Sequence, residues 1–150
     1  MNKVPDQIPT DHPQIQFLAF EEVEEVVGEP PGFDGVQLNR RLFDLAGSGA
    51  AHLVADVITF TPGFVHHMHR HFDAEQLMLP LSGSVVMLDE ARTPRELRAG
   101  EAMLVPRYRW HEVRNESGAD CVVFNLFSGV GDMAAVGFEA WPRDEAGGRD

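Results

Sequence analysis

The 150-residue chain has a single cysteine, Cys121, and a single lysine, Lys3. One thiol cannot close an intramolecular disulfide or build a thiolate cluster. Set in the apolar run from Cys121 to Phe124, it reads as a buried structural residue. Long apolar stretches are missing too: none approaches the roughly 20 residues needed to cross a bilayer. The first residues, Met1 to Gln7, lack the charged-then-apolar order of a secretory signal. Cytoplasmic residence without membrane contact is the expectation. Positive charge is scarce as well, with 12 basic against 24 acidic side chains and a formal net charge of −12. Such a surface repels phosphate backbones, so nucleic acid is not expected as a partner.

What is present is a series of short apolar runs punctuated by breakers. Hydrophobic residues make up 43% of the chain, enough for one domain with a real core. Strand-like runs fall at Ile15 to Phe20, Val36 to Leu45, Ala51 to Phe60, Gln76 to Leu81 and Ser84 to Leu88. Others follow at Glu101 to Val105, Trp110 to Arg114 and Cys121 to Phe127. Pro30-Pro31-Gly32, Thr61 to Gly63, Ser82-Gly83, Pro106 to Tyr108 and Asn115 to Gly118 separate them. Strands at intervals of roughly ten residues with turn signals between them predict an all-β sandwich or barrel. The glutamate-rich stretch from Glu21 to Val27 fits a short helix or a charged edge strand, and Asp89 to Arg98 an exposed hairpin connection. Residues 1–14 are expected to be a flexible arm, 15–142 one domain and 143–150 a loose tail. A short helix is expected near Asp132 to Val136, with Trp141 anchoring the end of the domain.

Four of the seven histidines lie between His66 and His71. Neutral imidazole is the commonest protein metal ligand near pH 7. On a regular strand His69 and His71 project from one face, His67 shares that face and His66 does not. His111 is a distant histidine that could answer them.

Two spaced motifs surround these residues. In the first, Gly63 precedes His69 and His71, and Gly83 closes it; in the second, Gly100, Pro106, His111 and Asn115 stand in register, with Tyr108 where the pattern has a glycine. This arrangement resembles the two motifs of the cupin superfamily, which implies a jelly-roll β-barrel and a homodimer joined through Ile15 to Phe20. The family's acidic ligand falls on either Glu75 or Gln76, depending on whether it is counted from His71 or from Gly83. Only one of them can face the site, and the ungapped match to Gly83 favours Gln76. A histidine-rich first motif with glutamine there is similar to cupin cyclases of aromatic polyketide pathways, of the resistomycin cyclase type. That resemblance implies zinc held by His69, His71, Gln76 and His111, with His67 as a further ligand if the strand carries a bulge. With Glu75 bound instead, iron(II), manganese or nickel would be implied.

The implied substrate is an aromatic polyketide or related diketone, and the implied reaction an aldol cyclisation assisted by a Lewis acid. His67 is the candidate general base and Arg109 the candidate partner of an anionic oxygen. Phe60, Phe64, Met78, Met87, Met103 and Phe124 are the apolar residues that could line the cavity. Two alternatives stay open: an iron(II) cupin dioxygenase, and a cupin that binds a small molecule without catalysis.

Overall fold

The computed structural model describes residues 13–142. Residues 1–12 of the expected arm and the whole of the expected tail lie outside the described residues. The all-β expectation holds. Strands run β1 (Val26–Gly28), β2 (Phe33–Asp34), β3 (Gln37–Phe43), β4 (Leu53–Phe60), β5 (Val65–Arg70) and β6 (Glu75–Ser82). They continue as β7 (Ser84–Leu88), β8 (Pro94–Arg98), β9 (Met103–Val105), β10 (His111–Arg114), β11 (Cys121–Ser128) and β12 (Glu139–Ala140). One antiparallel sheet has the order β1-β3-β4-β11-β6-β9, the other β12-β5-β10-β7-β8, with β2 also paired to β5. From β4 to β7 and from β8 to β12 each successive strand crosses to the other sheet, while β3–β4 and β7–β8 pair within one; the two sheets close over one interior as a jelly roll.

The interior is built by alternation. Along β11, Cys121, Val123, Asn125 and Phe127 are buried while their neighbours are not. Val123 and Cys121 join Phe60, Phe64, Met78, Val85, Met87, Leu97 and Val113 in the main apolar cluster, where Phe60 and Phe64 stack at 4.8 Å. Burial of each such large side chain stabilises the fold by about 1.5–3 kcal/mol. Cys121 has no solvent exposure, and burial pushes its thiol up to about 11, as a structural role requires. Gly83 makes the β6–β7 turn at φ +75°, and a Cβ there would meet the Asp120 carbonyl oxygen at 2.7 Å.

Two local expectations are corrected. Ile15 to Phe20 is not a strand: Ile15 and Phe17 are 87% and 92% exposed, and a 3-10 turn begins at Phe20. The edge beside β3 is taken by β1, and the earlier run has no sheet partner among the described residues. Asp89 to Arg98 is not all connection. The Asp89 carboxylate accepts the N–H groups of Ala91 and Thr93 at 3.0 and 3.1 Å, and that turn delivers β8 against β7. Pro94 is tolerated because it opens an edge strand, where its missing N–H costs no ladder bond. The short helix expected near Asp132 to Val136 is present as a 3-10 helix at Met133–Ala135, capped by the Asp132 side chain.

Candidate metal centre

The centre begins with a defect in β5. His111 pairs with His69, but Val113 pairs with His66. Two steps along β10 therefore match three along β5, and the extra residue is a β-bulge. Its consequence is a change of face. His66 turns into the cavity and stacks on His69 with ring centroids 3.8 Å apart. The side chain of His67, expected inside as ligand and general base, is 40% exposed, with Nε2 2.7 Å from the Asp34 carboxylate. Strict alternation is thus broken between His67 and His69, which would share a face on a regular strand.

Glu112, opposite the bulge and 2% exposed, explains how this is tolerated. Its Oε2 accepts the Met68 N–H at 3.0 Å, and its Oε1 pairs with Arg114 Nε. The carboxylate thus supplies the acceptor that the interrupted ladder does not. The His67 carbonyl accepts the Nδ1–H of His69 at 2.6 Å.

His69, His71 and His111 are all buried, and one ring nitrogen from each lies within 4.8 Å of the others. The three rings are oriented alike: the Nδ1 atoms of His71 and His111 meet the carbonyls of Gly137 at 2.8 Å and Arg109 at 3.0 Å. Carbonyls only accept, so each ring carries its hydrogen on Nδ1 and keeps a lone pair on Nε2. Burial, with repulsion from the neighbouring imidazoles, pushes His111 down to about 4 and His69 further still. His71 is lowered by burial as well. All three are therefore neutral near pH 7.

Gln76 completes the set. Its Nε2 donates to Asn125 Oδ1 at 2.8 Å, which turns Oε1 toward His111 Nε2 at 3.1 Å. Both of these atoms are acceptors in this tautomer, so the contact calls for an electropositive group between them. Three imidazole nitrogens and an amide oxygen, all uncharged, fit a divalent metal ion. Glu75 is exposed on the opposite face of β6.

The centre opens on a cavity of about 490 Å³ with Ile58, Phe60, Met78, Phe127 and Phe138 as apolar wall and Arg41, Asp56 and Asn125 as polar wall. Of the apolar lining expected from sequence, Phe60 and Met78 are there. Phe64 is fully buried in the core, Met87 and Met103 border a separate cavity of about 440 Å³, and Phe124 lies on the other phase of β11. Arg109, expected at the mouth, also borders that second cavity. Its side chain is 69% exposed and lies 3.4 Å from Glu90; only its carbonyl serves the centre.

Sequence reading passed over His66, Arg41, Asp56, Asn125 and the segment from Met133 to Phe138. For Asp56 and Asn125 a signal existed: each is a polar residue at the inward phase of an otherwise apolar strand.

Residues 56–127 match the family model described as a cupin domain. No curated protein is matched by the sequence. Among solved structures, the polyketide cyclase RemF from Streptomyces resistomycificus is similar at 22% identity, covering 77% of this chain and 80% of its own, with a TM-score of 0.69. A predicted oxalate decarboxylase from Thermotoga maritima is similar at 15% identity, covering 77% of this chain and all of its own, also at 0.69. A sugar phosphate isomerase of the cupin superfamily from Silicibacter pomeroyi is similar at 18% identity, covering 75% of each chain, with a TM-score of 0.63. At these identities the likeness is one of fold. With the matched region, the two-sheet barrel and the buried histidine group together, residues 56–127 form a cupin domain, and the chain is similar in fold to a polyketide cyclase.

Proposed function

We propose that the chain is a metal-dependent cyclase of aromatic polyketide biosynthesis, closing a ring of a poly-β-ketone by intramolecular aldol addition and loss of water. The observation that carries this reading is the uncharged donor set of His69, His71, His111 and the Gln76 amide oxygen. An ion held by those residues keeps its full charge and, when bound, supplies Lewis acidity toward a ketone or enolate oxygen, a task suited to non-redox zinc(II). The likeness in fold to a polyketide cyclase supports the same reading. The dioxygenase alternative drew on a Glu75 carboxylate or on three histidines alone; the Glu75 carboxylate stands outside the cavity.

The chain's own residues supply the rest. Asn125 pins the Gln76 amide so that its oxygen faces the imidazoles. His66 meets the Pro31 carbonyl through Nε2 at 3.0 Å, so its hydrogen sits there and Nδ1 retains the lone pair. Burial pushes this ring down to about 3, which keeps it neutral near pH 7 but a weak base. Its Nδ1 lone pair therefore relays the methylene proton to the departing hydroxyl rather than storing it. Phe60, Met78, Phe127 and Phe138 enclose the substrate, limit its conformers and exclude water from the reactive ketones.

Incubating the purified chain with a poly-β-ketone or an early cyclised intermediate should change the product pattern read by mass spectrometry. The change should vanish in His69→Ala and slow in His66→Ala. An unchanged pattern with the metal-loaded wild type overturns the proposal. Oxygen consumption dependent on added ferrous ion would replace it with the dioxygenase.

A further inference from the structure

We propose that Arg41 and Asp56 form a second polar subsite in the cavity, at which the Asp56 carboxylate accepts a hydrogen bond from a hydroxyl group of the substrate remote from the histidines. The inference rests on the cyclase reading and narrows its substrate to a flat polyketide, at least two rings long, with oxygen at both ends.

Arg41, Asp56, Asn125 and Met78 form one row straight across the inner face of the first sheet. Asp56 is 2% exposed, and its Oδ1 takes the Arg41 Nε contact. Arg41 also reaches Asp44 through a terminal nitrogen at 3.0 Å. Asp56 interrupts a strand that otherwise presents Val54, Ile58 and Phe60 inward. An apolar residue at that position would pack without the desolvation cost of a buried carboxylate, here offset only by the half-exposed Arg41.

The pair makes no contact with the histidines, yet both groups line one cavity. β4 stands two strands from β6, which places Asp56 roughly 10 Å from the Gln76 strand at the usual strand spacing. Between them Asn125 on β11 stands opposite Asp56 and accepts from Gln76, and Ile58, Phe60, Met78 and Phe127 supply the apolar surface around it. The cavity is therefore polar at each end, with apolar surface flanking a single bridging amide. Burial raises the Asp56 carboxyl and the Arg41 guanidinium pulls the other way; the Arg41 contact occupies Oδ1, which leaves Oδ2 as an acceptor for a hydroxyl donor. A poly-β-ketone carries oxygen on alternate carbons, so once folded it offers oxygen to both ends, with enol or phenol hydroxyls as donors.

The test uses the full chain loaded with zinc(II) and three probes titrated by naphthalene fluorescence. They are a naphthol, a naphthalenediol with one hydroxyl on each ring, and the diol's monomethyl ether. The diol should bind about tenfold more tightly than its ether, the effect of one hydrogen bond to a charged group. That gap should close in Asp56→Leu, which keeps the approximate shape of the side chain and has no acceptor. Equal binding of diol and ether by the wild type overturns the subsite while leaving the cavity's aromatic ligand in place. A gap that persists in Asp56→Leu also overturns it. Failure of all three probes to bind removes the subsite together with the cyclase reading.

Discussion

In β6 the ladder to β11 runs without a shift from Glu75 to Pro80. Glu75 and Gln76 consequently point to opposite faces, the amide inward. In β5 the ladder to β10 carries one extra residue, and the adjacent pair His66 and His67 exchange the faces that alternation assigns them. The two strands face one cavity and obey one steric rule, but the rule applies only between register shifts. The shift in β5 is held by a side chain from another strand, Glu112, which lies 46 positions beyond His66 in sequence. A β-bulge is therefore a tertiary property here, and a histidine-rich strand can present a different set of rings from the one its spacing suggests.

The comparison is broken most severely at the regular strand. Gln76→Ala should weaken retention of a divalent ion by at least about tenfold, whereas Glu75→Ala should leave it unchanged. Metal content after dialysis against a weak chelator measures both. Loss with Glu75→Ala instead would reverse the assignment of faces.

The bulged strand depends on Glu112. Glu112→Ala leaves the Met68 N–H buried without its acceptor and should cost about 2 kcal/mol of stability in urea unfolding. Glu112→Gln keeps an acceptor oxygen and should recover most of that loss. If alanine and glutamine variants are equally destabilised, the charge pairing with Arg114 matters and the bulge contact does not.

The inward rings also set a pH dependence. His66 and His111 are lowered in the folded chain to about 3 and about 4 from 6.5, so the unfolded chain takes up protons first as pH falls. Their contribution to stability is complete above about 6.5 and is lost progressively toward pH 4. Melting temperatures of the metal-free protein should fall between pH 7 and pH 5, with a shallower slope in His66→Ala. A flat profile would show that these rings are not buried neutral.

The smallest effect is expected outside the bulge. His67→Ala removes only an exposed pair with Asp34 and should change stability by no more than about 0.5 kcal/mol, with metal content intact. Loss of metal in this variant would return His67 to the centre.

Much of the site was legible because it depends on local spacing. His69 and His71 share a face in any extended strand, and Gly83 marks the turn from which Gln76 rather than Glu75 counts inward. Tyr108 illustrates the same dependence from a departure: it stands where the motif has glycine and adopts φ +69°, the conformation glycine would take there. Less legible were residues whose role depends on a remote partner. Arg109 looks inward by proximity to His111, yet its side chain finds Glu90 across a surface loop. The segment from Met133 to Phe138 read as a short helix near the end of the domain with no part in the site, but it walls the cavity, and Gly137 orients His71.

The sequence by itself determined the all-β class, the breakers between strands, the inward histidine pair and the buried thiol, because steric alternation and turn chemistry act over a few residues. Only the tertiary structure decided that His66 enters and His67 leaves, that Asn125 aims Gln76, and that Arg41 and Asp56 share the cavity. Each of those outcomes depends on hydrogen bonds or register between strands far apart in the chain, which local spacing does not encode.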